Sequence, residues 1–152
     1  MAIRFYIDAD LLGLAKLLVS VRADVTYPGD PGGLGIDGAP RPPCTIAPGA
    51  KDPVWIPQVA ALGWIVITRD RYHAHRPAEL AAVVGANARH VRLDPGSALN
   101  RWGQLEIVVS QWRRMEALEG LPGPSMWSHA PRCARSSERS RSSVALRPST
   151  SC

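Results

Sequence analysis

The first 27 residues constrain the fold more than any other stretch. "IRFYI", residues 3–7, is a β-rich run that reads as a buried strand. "LLGLAKLL", residues 11–18, spaces Leu11, Leu14, Ala15 and Leu18 for one helical face, so a helix follows at once. "ADVTY", residues 23–27, reads as a second short strand. Strands joined through a helix run parallel, and the crossover is expected to be right-handed. A parallel sheet is covered on both faces. The rest of the chain should therefore supply more helices and more apolar strands.

It does so after an interruption. Residues 28–50, "PGDPGGLGIDGAPRPPCTIAPGA", hold six Gly and six Pro, a composition that predicts a long loop without regular structure. Such a loop is uncommon in a compact domain and is functional or mobile. "KDPVWIPQVAALG", residues 51–63, predicts a helix with Asp52 as N-cap, Pro53 as first helical residue and Gly63 as the stop. Val54, Ala61 and Leu62 are its expected core face, and Pro57 should distort it slightly. "WIVIT", residues 64–68, is a third strand, apolar enough to be buried on both faces. Residues 77–85, "PAELAAVVG", read as a helix and residues 89–93, "RHVRL", as a fourth strand. A long helix from about Ser97 to Glu119 closes the fold, with Leu105, Val108, Val109 and Trp112 as its apolar stripe. Trp55, Trp64, Trp102 and Trp112 are expected in core or interface packing. The expectation is one α/β domain over residues 1–120, a small parallel sheet of about four strands wrapped by helices. Residues 121–152 are rich in Ser and Arg and predict a disordered tail.

The charge lies mostly in that tail. Arg132, Arg135, Arg139, Arg141 and Arg147 face only Glu138 there, which leaves 13 of the 18 basic and 12 of the 13 acidic residues for residues 1–125. The body is nearly neutral, so net charge alone does not argue for a polyanion partner. No apolar run reaches transmembrane length, and Asp8 and Asp10 fall where the apolar core of a signal peptide would lie. A cytoplasmic protein without a membrane partner is expected. Cys44, Cys133 and Cys152 have no metal-type spacing, and a disulfide framework is not expected.

Three carboxylates share a position. Asp8 ends the first strand, Asp70 ends the third in "IVITRD", and Asp52 opens the helix leading into that third strand. In open parallel sheets, functional groups gather outside the carboxyl ends of the strands. Three Asp at one rim with no Lys among them need a neutralising charge, and Mg2+ or Mn2+ prefers carboxylate oxygen. Each acid also has a structural alternative: Asp8 and Asp52 as helix caps, Asp70 as the cap of a turn. His73 and His75 in "RDRYHAHRP" have no third His and no Cys nearby, and a solvated turn accounts for them better than zinc. "GDPGGLG" lacks the G-K-[ST] ending of a phosphate loop and opens onto no helix.

The stretches "RFYIDADLLGLAKLL" at 4–18 and "KDPVWIPQVAALGWIVITRD" at 51–70, with "NRWGQLEIVVSQW" at 100–112 more loosely, resemble the PIN-domain nucleases. The resemblance spans roughly residues 3–119 and is closest to the bacterial branch containing the toxin ribonucleases of toxin–antitoxin pairs. It implies metal-assisted hydrolysis of RNA phosphodiester bonds with Mg2+ or Mn2+. Asp8 and Asp70 are then metal ligands, and Asp52 is a ligand or positions water. Thr68 of the "TRD" strand end bonds a ligand carboxylate or the water, and Arg69 and Arg71 meet phosphates. It also implies RNA as substrate, a small antitoxin protein as partner, and a homodimer. Many members carry a fourth acid after the strand-end Asp. Here Glu79 and Asp94 are the nearest, and neither matches securely. That departure keeps a second reading open, a PIN-like module that binds nucleic acid or protein after its metal site has decayed. A phosphatase or receiver-type domain also collects Asp at strand ends. This chain lacks the acidic pair before a phospho-acceptor strand and the late strand-end Lys that such a domain needs.

Overall fold

Alternation along the first strand sorts the interior into two layers. The computed structural model describes residues 2–69, 77–93, 100–121 and 125–129. Strand β1 (Phe5–Ile7) sends Phe5 and Ile7 to one face and Tyr6 to the other, as the two-residue period of a strand requires. A short 3-10 turn (Ala9–Leu11) and helix α1 (Leu12–Val19) return the chain to β2 (Val25–Thr26), which pairs parallel with β1. The expected βαβ unit is present, and Leu11, Leu14, Ala15 and Leu18 are all buried.

The 28–50 segment corrects the expectation of a structureless loop. It folds back as an antiparallel hairpin of β3 (Gly33–Leu34) and β4 (Pro40–Arg41). Buried Asp30 organises it. Its carboxylate pairs with buried Arg41 and accepts hydrogen bonds from the Thr26 hydroxyl (3.2 Å) and the Gly32 N–H (2.9 Å). The Cys44 N–H donates to the Asp30 carbonyl at 2.8 Å, and Ile46 inserts into the core. Composition marks where regular ladders cannot run. It does not register one buried ion pair holding the turns between them.

Helix α2 (Asp52–Ala61) starts one residue earlier than expected. Lys51 holds the extended N-cap conformation, and Asp52 is the first helical residue. Its buried face is Trp55, Ile56 and Val59, whereas Val54, Ala61 and Leu62 are exposed. Apolar residues surround this helix, so spacing alone could not select the face. The Trp55 indole N–H donates to the Asp52 carboxylate at 3.0 Å, and its ring packs 5.0 Å from Tyr6. The helix continues through Pro57 and stops at Gly63, whose φ of +71° suits the residue without a Cβ.

Strand β5 (Ile65–Thr68), helix α3 (Pro77–Gly85), strand β6 (Arg89–Leu93) and helix α4 (Arg101–Ala117) follow, and a 3-10 turn (Leu118–Gly120) ends α4. The Asn100 side chain caps α4, accepting from the Gly103 N–H at 2.8 Å. Gln104, Val108, Trp112 and Met115 form its buried face, while Val109 is 61% exposed and leaves the expected stripe. Trp102, at 67% exposed, is not a core residue.

The parallel sheet has five strands rather than about four, in the order β2-β1-β5-β6-β7. The fifth, β7 (Ser125–His129), lies in the stretch assigned from composition to the tail. It pairs with all of β6, from Arg89↔Ser125 to Leu93↔His129. Backbone pairing at a sheet edge needs no apolar run, so composition did not announce it. Phe5, Ile7, Ile65, Ile67, Val91 and Leu93 pack under α1 and α4. Tyr6 and Val66 pack on the other face with residues of α2, Val83 of α3 and Ile46. Among the described residues, no helix is long and apolar enough to cross a membrane.

Candidate active site

Strand β1 has β2 on one side and β5 on the other. The strand order reverses there, and the crevice outside the carboxyl ends of β1 and β5 is where such sheets place ligands. Ile7 is in register with Ile67, so the next residues outward are Asp8 and Thr68. They meet: the Thr68 hydroxyl donates to Asp8 Oδ2 at 3.1 Å. The Ala9 N–H donates to Asp8 Oδ1 at 2.6 Å, so Asp8 also caps the 3-10 turn. The capping and functional readings of Asp8 describe the same geometry. These two bonds orient the Asp8 carboxylate.

Asp52 is linked to Asp8 through Tyr6. Asp8 follows Tyr6 by two residues, which directs both toward the face covered by α2. Burial foremost, then the nearby charges of Asp8, Cys44 and Asp52, hold the Tyr6 hydroxyl well above the usual tyrosine range. Asp8 and Asp52 thus act electrostatically on one buried hydroxyl. Asp52 also holds Trp55 against the Tyr6 ring. Its cap-like position and a place at the site are compatible, since the first turn of a helix favours an anion.

Two contributors escaped the sequence reading. Asp10 accepts the Arg69 backbone N–H at 2.9 Å, with the Arg69 guanidinium 3.9 Å away. It ties the turn after β1 to the end of β5, and its Asp-x-Asp spacing from Asp8 was the available signal. The Arg69 side chain expected to meet phosphates sits beside this acid. Arg92 is in register with Thr68, which places a cation on the neighbouring strand. Its alternation with buried Val91 and Leu93 was visible in "RHVRL".

Asp70, Arg71, His73, His75 and Asp94 lie outside the described residues, and Glu79 falls on α3. Among the described residues, no three of His, Cys, Asp and Glu are grouped to hold a metal ion. Asp8, Asp10 and Asp52 alone therefore do not form a three-carboxylate centre. The oxygen donors of Asp8 and Asp52 nevertheless match the chemistry of a hard divalent cation.

A family model described as a PIN like domain matches residues 4–94, more than half of the chain. The chain belongs to the PIN-like domain family. The match runs from β1 past β6 and includes Asp8, Asp52, Thr68 and Asp70. PIN domains are nuclease-type folds and generally use divalent metal ions. No curated protein and no solved structure matches the chain.

Proposed function

We propose that this PIN-like domain is a Mg2+- or Mn2+-dependent endoribonuclease, the toxin of a toxin–antitoxin pair. The observation that carries the nuclease reading is the Thr68–Asp8 hydrogen bond at the switch point of the sheet. It joins the ends of the two strands on which the acids lie. In this reading Asp8 and Asp70 are metal ligands, and Asp52 is a ligand or positions the attacking water. Thr68 orients Asp8 as the outer partner of a ligand. Arg71, Arg92 and the partly exposed Arg69 offset phosphate charge around them. The cation supplies Lewis acidity toward the scissile phosphate. The protein would act in the cytoplasm with a small antitoxin and as a homodimer. Val21 and Val109, apolar residues that are 55% and 61% exposed on or beside α1 and α4, support a protein partner.

The test is cleavage of a broad panel of RNAs with Mg2+ or Mn2+, with EDTA and folded Asp8→Asn and Asp70→Asn variants alongside. The expected result is cleavage that all three controls abolish. Cleavage that persists in both variants would place the chemistry elsewhere. The second reading, a binding module with a decayed metal site, is favoured by one observation: Asp52 spends an oxygen on the Trp55 indole. Folded protein that binds RNA and cleaves none of the panel would select it.

A further inference from the structure

A groove of about 360 Å³ opens between α1 and the start of α4, lined by Leu12, Gly13, Lys16, Leu17 and Arg101. It begins one helical turn beyond Asp8 along the chain. Among the described residues that line it, Lys16 and Arg101 are the charged ones, and neither has an ion-pair partner there. In a nearly neutral body, two cations in one groove stand out.

Gly13 shows that the arginine is seated. A glycine within the first turn of α1 costs the helix about 1 kcal/mol relative to alanine. A Cβ there would lie 2.7 Å from Arg101 Nε and 2.9 Å from its Cδ. The missing side chain is the space that the Arg101 stem occupies. Trp102, the next residue of α4, is 67% exposed and offers an aromatic face near the groove's end of the helix. Backbone-tracking cations next to an aromatic platform are the elements of single-strand binding.

We propose that this groove carries the backbone of single-stranded RNA toward Asp8, with Lys16 and Arg101 on phosphates and Trp102 under a base. The inference deepens the nuclease reading and rests on it for the direction of the strand. A protein partner is the rival occupant, and a groove lined by two cations suits it less well than a phosphate chain does.

The experiment measures fluorescence anisotropy of labelled oligouridylate with the full chain in EDTA, across a range of salt. Loss of both cations in Lys16→Ala/Arg101→Ala should weaken binding about tenfold at low salt and flatten the log–log salt dependence by about 1.4, two single-strand contacts. Gly13→Ala should keep or raise the melting temperature, because it improves α1 and meets only a flexible side chain. It should still lose part of the affinity by unseating Arg101. Unchanged affinity and salt slope in the double variant would overturn the inference, as would wild-type protein that binds no RNA at low salt. RNA binding through these residues with no cleavage under any metal would overturn the nuclease reading and leave the groove assignment standing.

Discussion

At the residue scale, the candidate site depends on how single side chains are held. Thr68→Val keeps the shape of a nearly buried side chain and removes the hydroxyl that orients Asp8. A roughly tenfold fall in kcat is expected, with a small change in melting temperature and recovery in Thr68→Ser. Single-turnover cleavage and thermal unfolding check it together. Tyr6 makes a prediction in pH. Its folded pKa is raised above the ordinary 10.0, so the folded state keeps a proton that the unfolded chain releases. Its stabilising share is therefore complete below pH 10 and falls as pH rises further, by about 1.4 kcal/mol per pH unit. Tyr6→Phe should lack that component in urea titrations above pH 10. Asp8 and Thr68 were legible because strand ends can be read from apolar runs. Asp10 was not, because its partner is a backbone N–H 59 residues away, and no local pattern encodes that contact.

At the element scale, the 28–50 segment is the sharpest departure from expectation. Its order depends on the Asp30–Arg41 pair, both members of which are buried. Removing one partner strands the other charge, so Asp30→Ala should cost about 3–5 kcal/mol in urea unfolding. Hydrogen exchange should accelerate first at the amides of Gly32 and Cys44, which bond to Asp30. A loss below 1 kcal/mol with unchanged exchange would mean that packing of Ile46 alone orders the segment. Helix α2 shows a different limit of sequence reading. Its existence and its stop were plain from Asp52-Pro53 and Gly63, while its buried face was not. Val54, Trp55, Ile56, Val59 and Leu62 cover most of its circumference, and the contact with Tyr6 selected among them. In α1, the expected face of Leu11, Leu14, Ala15 and Leu18 is the buried one, although Leu12 and Leu17 are exposed.

At the scale of the whole molecule, the sheet is fastened at one edge and gathers its candidate site at the other. Near the amino ends of β1 and β2, fully buried Asp24 pairs with Arg22 at 2.8 Å and Arg4 at 3.4 Å, and both arginines reach Glu116 at the end of α4. Glu116 also accepts the Trp112 indole N–H at 3.0 Å. The arginines are partly exposed, so Asp24→Asn should cost about 2 kcal/mol, less than a fully buried pair. Cleavage per folded molecule should be unchanged, since this network lies at the edge opposite Asp8. The parallel architecture was readable because βαβ units dictate strand direction. The fifth strand was not, because an edge strand can be recruited through its backbone alone. The strand order itself is shared with other doubly wound folds, so the family match and the carboxyl-edge acids carry the functional conclusion. The central claim is that Asp8 and Asp70 share one divalent cation, and Mn2+ titration followed by electron paramagnetic resonance tests it most directly. The account predicts that wild-type protein removes the free Mn2+ signal and that folded Asp8→Asn and Asp70→Asn leave it in place. Wild-type binding in both variants would contradict it.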